Sequence, residues 1–242
     1  MQYQTVSQTG TLALQQNKVL RNTYMMLALT MVPTVIGALV GLSTNFSFMA
    51  QAPIMAPLLM FAVMLGMLFA VSALRNSVWG IAMLLGFTFV AGWFLGPILQ
   101  TALHLRNGGQ LVGIAAGGTG LIFFSLATVA TVTKKDFSFM GKFLFIGLIL
   151  LIAASLANLF FQIPALSLTI SAIAVLIFSA YILFDVSRIV HGGETNYVMA
   201  TMGLYLSVYN LFANLLRKND FLSVSGNEKG GQAAFFIGCY YY

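Results

Sequence analysis

Hydrophobic side chains make up 60% of this 242-residue chain and charged ones only 7%, with a mean hydropathy of +0.93. A water-soluble domain carries about 25% charged residues, so this chain cannot cover a surface in water, and its length fits one membrane bundle. The net charge of +6 comes from five acids set against eleven bases; that scarcity of acids reports orientation in a bilayer, not nucleic-acid binding.

Residues 1–23 are polar, rich in Gln and Thr, and carry no early apolar run, so they predict a disordered cytoplasmic tail and no cleavable signal peptide. About 20 apolar residues cross a bilayer. Six runs qualify, at 24–42, 56–74, 78–99, 111–132, 143–161 and 165–187, and a more polar seventh lies at 197–216. Pro53, Pro57, Pro97 and Pro164 fall at or near the ends of these runs, where helix breakers belong. The fold class is therefore an all-α polytopic membrane protein, a bundle of seven transmembrane helices over 24–216. Residues 217–242 show no helical periodicity and predict a disordered tail.

Orientation follows from Lys and Arg. With the N-terminus inside, the inner segments hold Lys18, Arg21, Arg75, Lys134, Lys135, Lys142 and Arg188, while the outer connections hold Arg106 alone. That asymmetry predicts a cytoplasmic N-terminus. Seven spans put the tail outside, whereas Arg217, Lys218 and Lys229 favour the inside, so the side of the C-terminus stays open.

Glycines recur four apart at Gly37 and Gly41, Gly92 and Gly96, and Gly113 and Gly117. Such pairs let helix backbones approach in lipid, and tight packing within the bundle is expected ahead of dimerisation. The run Gly117-Gly118-Thr119-Gly120 lacks the Lys-Ser/Thr of a phosphate loop and lies inside a span. In the last span, Gly203, Ser207, Asn210 and Asn214 are spaced four, three and four, which puts them on one helical face. Asn196 and Ala200 extend that stripe. Amides and hydroxyls facing lipid would go unsatisfied, so the last helix is expected to be central.

Asp185 is the one acidic residue inside a long apolar run, and a carboxylate at membrane depth is a functional candidate by default. Two readings compete. In one, Arg188 at i+3 forms a local ion pair with it; in the other, Asp185 is a pH-responsive gate partnered by Ser207 and Asn210. Asn158 and Gln162 are further polar candidates toward the outer side. His191 and Glu194 belong to the loop before the last span, a candidate partner-binding loop. His104 and His191 fall at opposite faces, and Cys239 is a lone cysteine, so no metal set is expected. No span holds a lysine for a retinal Schiff base, and no histidine accompanies a serine at depth, so nothing in the chain predicts an enzyme or a cofactor.

The segments Lys18-Val-Leu-Arg-Asn-Thr-Tyr24, Leu95-Gly-Pro-Ile-Leu99, Thr133-Lys-Lys-Asp-Phe-Ser-Phe139, Leu183-Phe-Asp-Val-Ser-Arg-Ile189, His191-Gly-Gly-Glu-Thr-Asn-Tyr197 and Leu204-Tyr-Leu-Ser-Val-Tyr-Asn-Leu-Phe212 resemble the Bax inhibitor family of membrane proteins, in its bacterial YccA-like branch. The resemblance implies seven helices with the last enclosed by the other six, and a bacterial inner-membrane location. For function it implies either a partner of the membrane-anchored AAA protease FtsH in quality control, or a pH-sensitive calcium or cation leak. In the leak-forming branch two aspartates form the sensor. The first corresponds to Asp185 and the second to Ser207, which is not acidic. The tail beyond Leu216 departs from the family pattern.

Reporters test the orientation: a fusion at Lys135 is expected to read cytoplasm and one at Asn107 periplasm, and the reverse pattern overturns it.

Overall fold

The computed structural model describes the backbone over residues 2–133 and 135–225, with side chains at 16–49, 51–133 and 135–217. Its regular elements are α1 (Gln2–Ser43), α2 (Ser47–Gln51), α3 (Met55–Leu74), α4 (Val78–Phe94), α5 (Gly96–His104), α6 (Gly108–Val132), a 3-10 turn (Ser138–Met140), α7 (Gly141–Phe161), α8 (Pro164–Val190) and α9 (Tyr197–Ser225). Seven segments are long and apolar enough to cross a membrane, at 16–43, 55–74, 78–104, 108–132, 138–161, 164–190 and 197–217. The third is α4 and α5 together, broken at Leu95, where Pro97 follows.

Two ends of the chain differ from the sequence expectation. The first helix runs without interruption from Gln2 instead of beginning at residue 24. Within it Thr23 is fully buried, and Val19 and Leu20 pack on the core. Hydropathy marks where lipid begins, not where a helix begins, and residues 11–32 contain neither Gly nor Pro to stop one. At the other end α9 continues past Leu216 to Ser225; the expectation of disorder at 226–242 lies outside the described residues.

Helix α9 lies against α1, α4, α5, α6 and α8, so it is enclosed on most sides. The enclosure is not by all six other spans. Helix α3 rests on α4, α7 rests on α8, and neither makes more than marginal contact with α9. Tyr205, Leu204, Leu211 and Leu216 of α9 are fully buried. Between α1 and α4 the backbones touch: a methyl group at Gly37 would strike Phe89 O, and one at Gly92 would strike Thr34 O. Gly113 and Gly117 on α6 face open space, so the expected packing role holds for two of the three pairs.

At the end of the bundle away from the N-terminus, the Gln100 amide donates to the carbonyls of Gly41 (2.9 Å), Leu42 (3.2 Å) and Thr44 (2.9 Å). These are the orphan acceptors that close α1. Trp93 Nε1 donates to Thr44 Oγ1 (2.9 Å) beside them.

The glycine contacts give a direct test. Gly37→Leu and Gly92→Leu are each expected to cost about 1–3 kcal/mol through forced overpacking, read as a lowered melting temperature in detergent. Gly113→Leu is expected to leave melting unchanged.

Candidate functional site

Asp185 sits in the last two turns of α8, where the helix meets α9 antiparallel. Its carboxyl lies against Gly203: a methyl group placed there would come within 3.3 Å of Oδ2 and 3.6 Å of Oδ1. A side chain at this position would press on the carboxyl, which would have to give by a few tenths of an ångström. One turn further along, buried Ser207 donates to Gly203 O (3.1 Å) and stands beside Asp185 as its hydroxyl neighbour. The gate reading of Asp185 from sequence partnered it with Ser207 on the facing helix, and the structure brings these two together.

A cavity of ≈ 170 Å³ opens at this point, lined by Asp185, Arg188, Ile189, Glu194, Met199, Ala200, Met202 and Gly203. A few water molecules fit in such a space, and its lining offers them carboxylate and guanidinium partners. The sequence reading did not anticipate Met199 and Met202. Met199 lies one turn before Gly203 and Met202 directly before it, which marks them once the facing of α8 and α9 is known.

Arg188 does not pair with Asp185, although it lines the same cavity. Its Nη2 reaches Glu194 Oε2 at 3.5 Å, the one ion pair among the described residues, and also donates to Gly193 O at 3.3 Å. The guanidinium lies 5.5 Å from the centre of the Phe184 ring. The chain reverses at Gly192 and Gly193, whose N–H groups donate to Ile189 O and Arg188 O. That reversal carries Glu194 back over the end of α8, where it competes for the arginine. Glu194 also accepts from Asn196 N–H (3.0 Å). Glu194, from the candidate partner-binding loop, thus also lines the Asp185 cavity.

Asn210 is not part of this cluster. Its Nδ2 donates to Leu206 O in its own helix (2.9 Å), and Asn214 does the same to Asn210 O (2.8 Å). Asn196 is likewise not a continuation of a polar stripe but the cap of α9, accepting from Val198 N–H and Met199 N–H (3.0 and 3.1 Å). At the far end, Asn158 Oδ1 accepts from Ile163 N–H (3.1 Å), and Gln162 closes α7 in the left-handed conformation, φ 50°. Both shape the α7–α8 turn and are remote from Asp185.

His191 takes part in a joint that sequence reasoning missed. Ser187, fully buried on α8, accepts from Phe137 N–H (2.9 Å) and lies 3.4 Å from Lys135 O, which fastens the α6–α7 connection to α8. His191 Nδ1 donates to Ser187 O (2.8 Å). Asp136 accepts from Ser138 N–H (2.8 Å), and its hydrogen bonds from Ser138, aided by the nearby His191 ring, hold its carboxyl below the usual range. The small hydroxyl two residues after Asp185 was the available signal.

The site therefore has a carboxylate in a small polar cavity, roofed by an ion-paired loop and flanked by a fastened connection. Comparison with known proteins places the sequence in a family. The family described as "Inhibitor of apoptosis-promoting Bax1" matches residues 16–223. The "Modulator of FtsH protease YccA" of Escherichia coli strain K12 is 40% identical over 217 residues, covering 90% of this chain and 96% of that one. An "Inner membrane protein YccA" of Escherichia coli O6:H1 matches equally. An uncharacterised protein of Pseudomonas aeruginosa is 44% identical over 199 residues, covering 82% of this chain and 87% of its own. With a family match spanning the whole helical bundle and near full-length relatives at this identity, the chain belongs to the Bax inhibitor family of multi-pass membrane proteins.

Proposed function

We propose that the protein is a non-catalytic protein of the bacterial inner membrane that modulates a membrane-anchored AAA protease of the FtsH type. The observation that carries this reading is the near full-length similarity to a relative named as a modulator of that protease. The shape of α1 supports it. The helix starts at Gln2, whereas its apolar run begins at residue 24, so at ~1.5 Å per residue roughly 30 Å of chain precede that run. A polar leading segment of that kind can engage a protease pore and slow its action on other substrates. The loop of His191 and Glu194 lies at the same end of the bundle and offers a second contact surface.

Deleting residues 1–15 removes no span and keeps Lys18 and Arg21, so membrane insertion is expected to persist while the slowing of proteolysis of a second membrane substrate is lost. A truncated protein that inserts and inhibits as well as the full chain overturns the tail mechanism.

A second reading, a pH-sensitive calcium or cation leak, is favoured by one observation: Asp185 and Glu194 both line the cavity between α8 and α9. In reconstituted vesicles this reading expects a cation flux whose pH dependence is removed by Asp185→Asn and steepened by Ser207→Asp. Wild-type flux equal to that of empty vesicles across the neutral range ends it.

A further inference from the structure

A second and larger hollow, ≈ 380 Å³, lies at the end of the bundle that carries Lys18, Arg21, Arg75 and Lys135. Its walls are two turns. Arg75, Asn76 and Ser77 come from the connection between α3 and α4, Thr195, Asn196 and Tyr197 come from the entry to α9, and Val78 and Ile81 of α4 complete the lining. Asn196 sets the separation of the walls: its Nδ2 donates to Arg75 O (3.2 Å) and Asn76 Oδ1 (2.9 Å) while its Oδ1 caps α9. The hollow is thus held open by bonded walls and is not a gap between loose loops.

Its chemistry has one sign. No carboxylate lines it, and among the described residues the one ion pair is Arg188–Glu194, so Arg75 has no acidic partner. Arg75 shares the lining with the hydroxyl-bearing Ser77, Thr195 and Tyr197. A guanidinium takes two phosphate oxygens in a planar fork, and hydroxyl donors complete the shell. Val78 (81% exposed) and Trp79 (73%) stand out from the same turn into the surroundings of the bundle. Tryptophan beside a basic residue at the end of a span is the pattern of the headgroup level of a bilayer. Arg75 is therefore at the height where lipid phosphates lie, at the mouth of a cavity open to them.

We propose that this hollow binds a phosphate group, supplied by the headgroup of an anionic phospholipid that docks at Arg75 between the α3–α4 turn and the start of α9. A lipid seated there would brace the entry of the central helix, since Asn196 ties both walls to α9.

The test uses the full chain in phosphatidylcholine discs with and without phosphatidylglycerol, reading lipid retained by native mass spectrometry together with the melting temperature. The wild type is expected to retain phosphatidylglycerol in preference. One basic side chain near an anionic surface is worth ~1 kcal/mol, so Arg75→Gln is expected to cut retention about fivefold, and Arg75→Lys to restore part of it. Thr195→Glu places a carboxylate on the opposite wall and is expected to expel the lipid without touching Arg75. Lys135→Gln, at the same end of the bundle, is expected to change nothing. If inorganic phosphate alone raises the melting temperature in an Arg75-dependent way, the phosphate site stands and its source is soluble. Equal retention in Arg75→Gln and wild type overturns the site, as does an equal loss in Lys135→Gln, which marks a diffuse basic face.

Discussion

The bilayer gives a buried hydroxyl or amide no water to bond, and this constraint shapes most of the interior. Along the spans, Thr23, Thr30, Thr34, Thr88, Thr119, Thr201, Ser207, Asn210 and Asn214 each return a hydrogen bond to a carbonyl three or four residues back in their own helix. That bond costs little and needs no partner helix. It also means that a polar residue in a span is weak evidence for a site. Tyrosine cannot fold back this way, and so Tyr205 and Tyr209 reach across. The Tyr205 hydroxyl lies 2.9 Å from Thr34 Oγ1 and 3.3 Å from Thr88 O, and Tyr209 donates to Ala91 O (3.0 Å). These two rings, stacked 6.0 Å apart, tie α9 to α1 and α4. They make it the centre of the bundle more than its stripe of small polar groups does.

Asp185 departs from this pattern for a chemical reason. A carboxylate has no hydrogen to return to its own helix, so it needs donors from elsewhere or a hydrated space. Here it has the edge of Gly203, the neighbouring Ser207 and a cavity. The chain supplies Arg188 within the same cavity and then directs it to Glu194. A surface pair of this kind, at 3.5 Å and partly exposed, contributes about 0–1 kcal/mol. Its geometric effect is larger than its energy: it holds the loop over the cavity mouth.

How far the sequence could be read divides along the same lines. Spans follow from hydropathy alone, because the bilayer tests composition over 20 residues and tolerates an error of a few at each end. Asp185 facing Ser207 was legible, since one acid and one helical stripe leave few alternatives. The glycine pairs were legible as close approaches but not as to which pair approaches what; spacing of four is shared by Gly37 and Gly41, which meet α4, and by Gly113 and Gly117, which meet nothing. The partner of Arg188 was illegible for a different reason. Helical spacing offers Asp185 at i−3, whereas the structure gives Glu194 after a reversal at Gly192, whose φ of 76° no periodicity argument contains. The start of α1 was misplaced because apolarity was read as a proxy for helix.

Side chains fasten the connections at both ends of the bundle, but with different consequences. At the far end Gln100 and Trp93 close the terminus of α1, and the bonds are local to α1, α4 and α5. At the near end the bonds involve three separate connections. Ser187 holds the 135–137 segment to α8, Arg188 and Glu194 hold the loop that follows, and Asn196 holds the 75–76 turn to α9. All three joints converge on the turn between α8 and α9. A load placed on that turn, by a partner or by a lipid, is therefore passed to α3, α6 and α9 together and not to one loop. For the partner-binding role proposed above, a face braced in this way loses little conformational entropy on contact, and that is where such a role at this end of the bundle would find its physical basis.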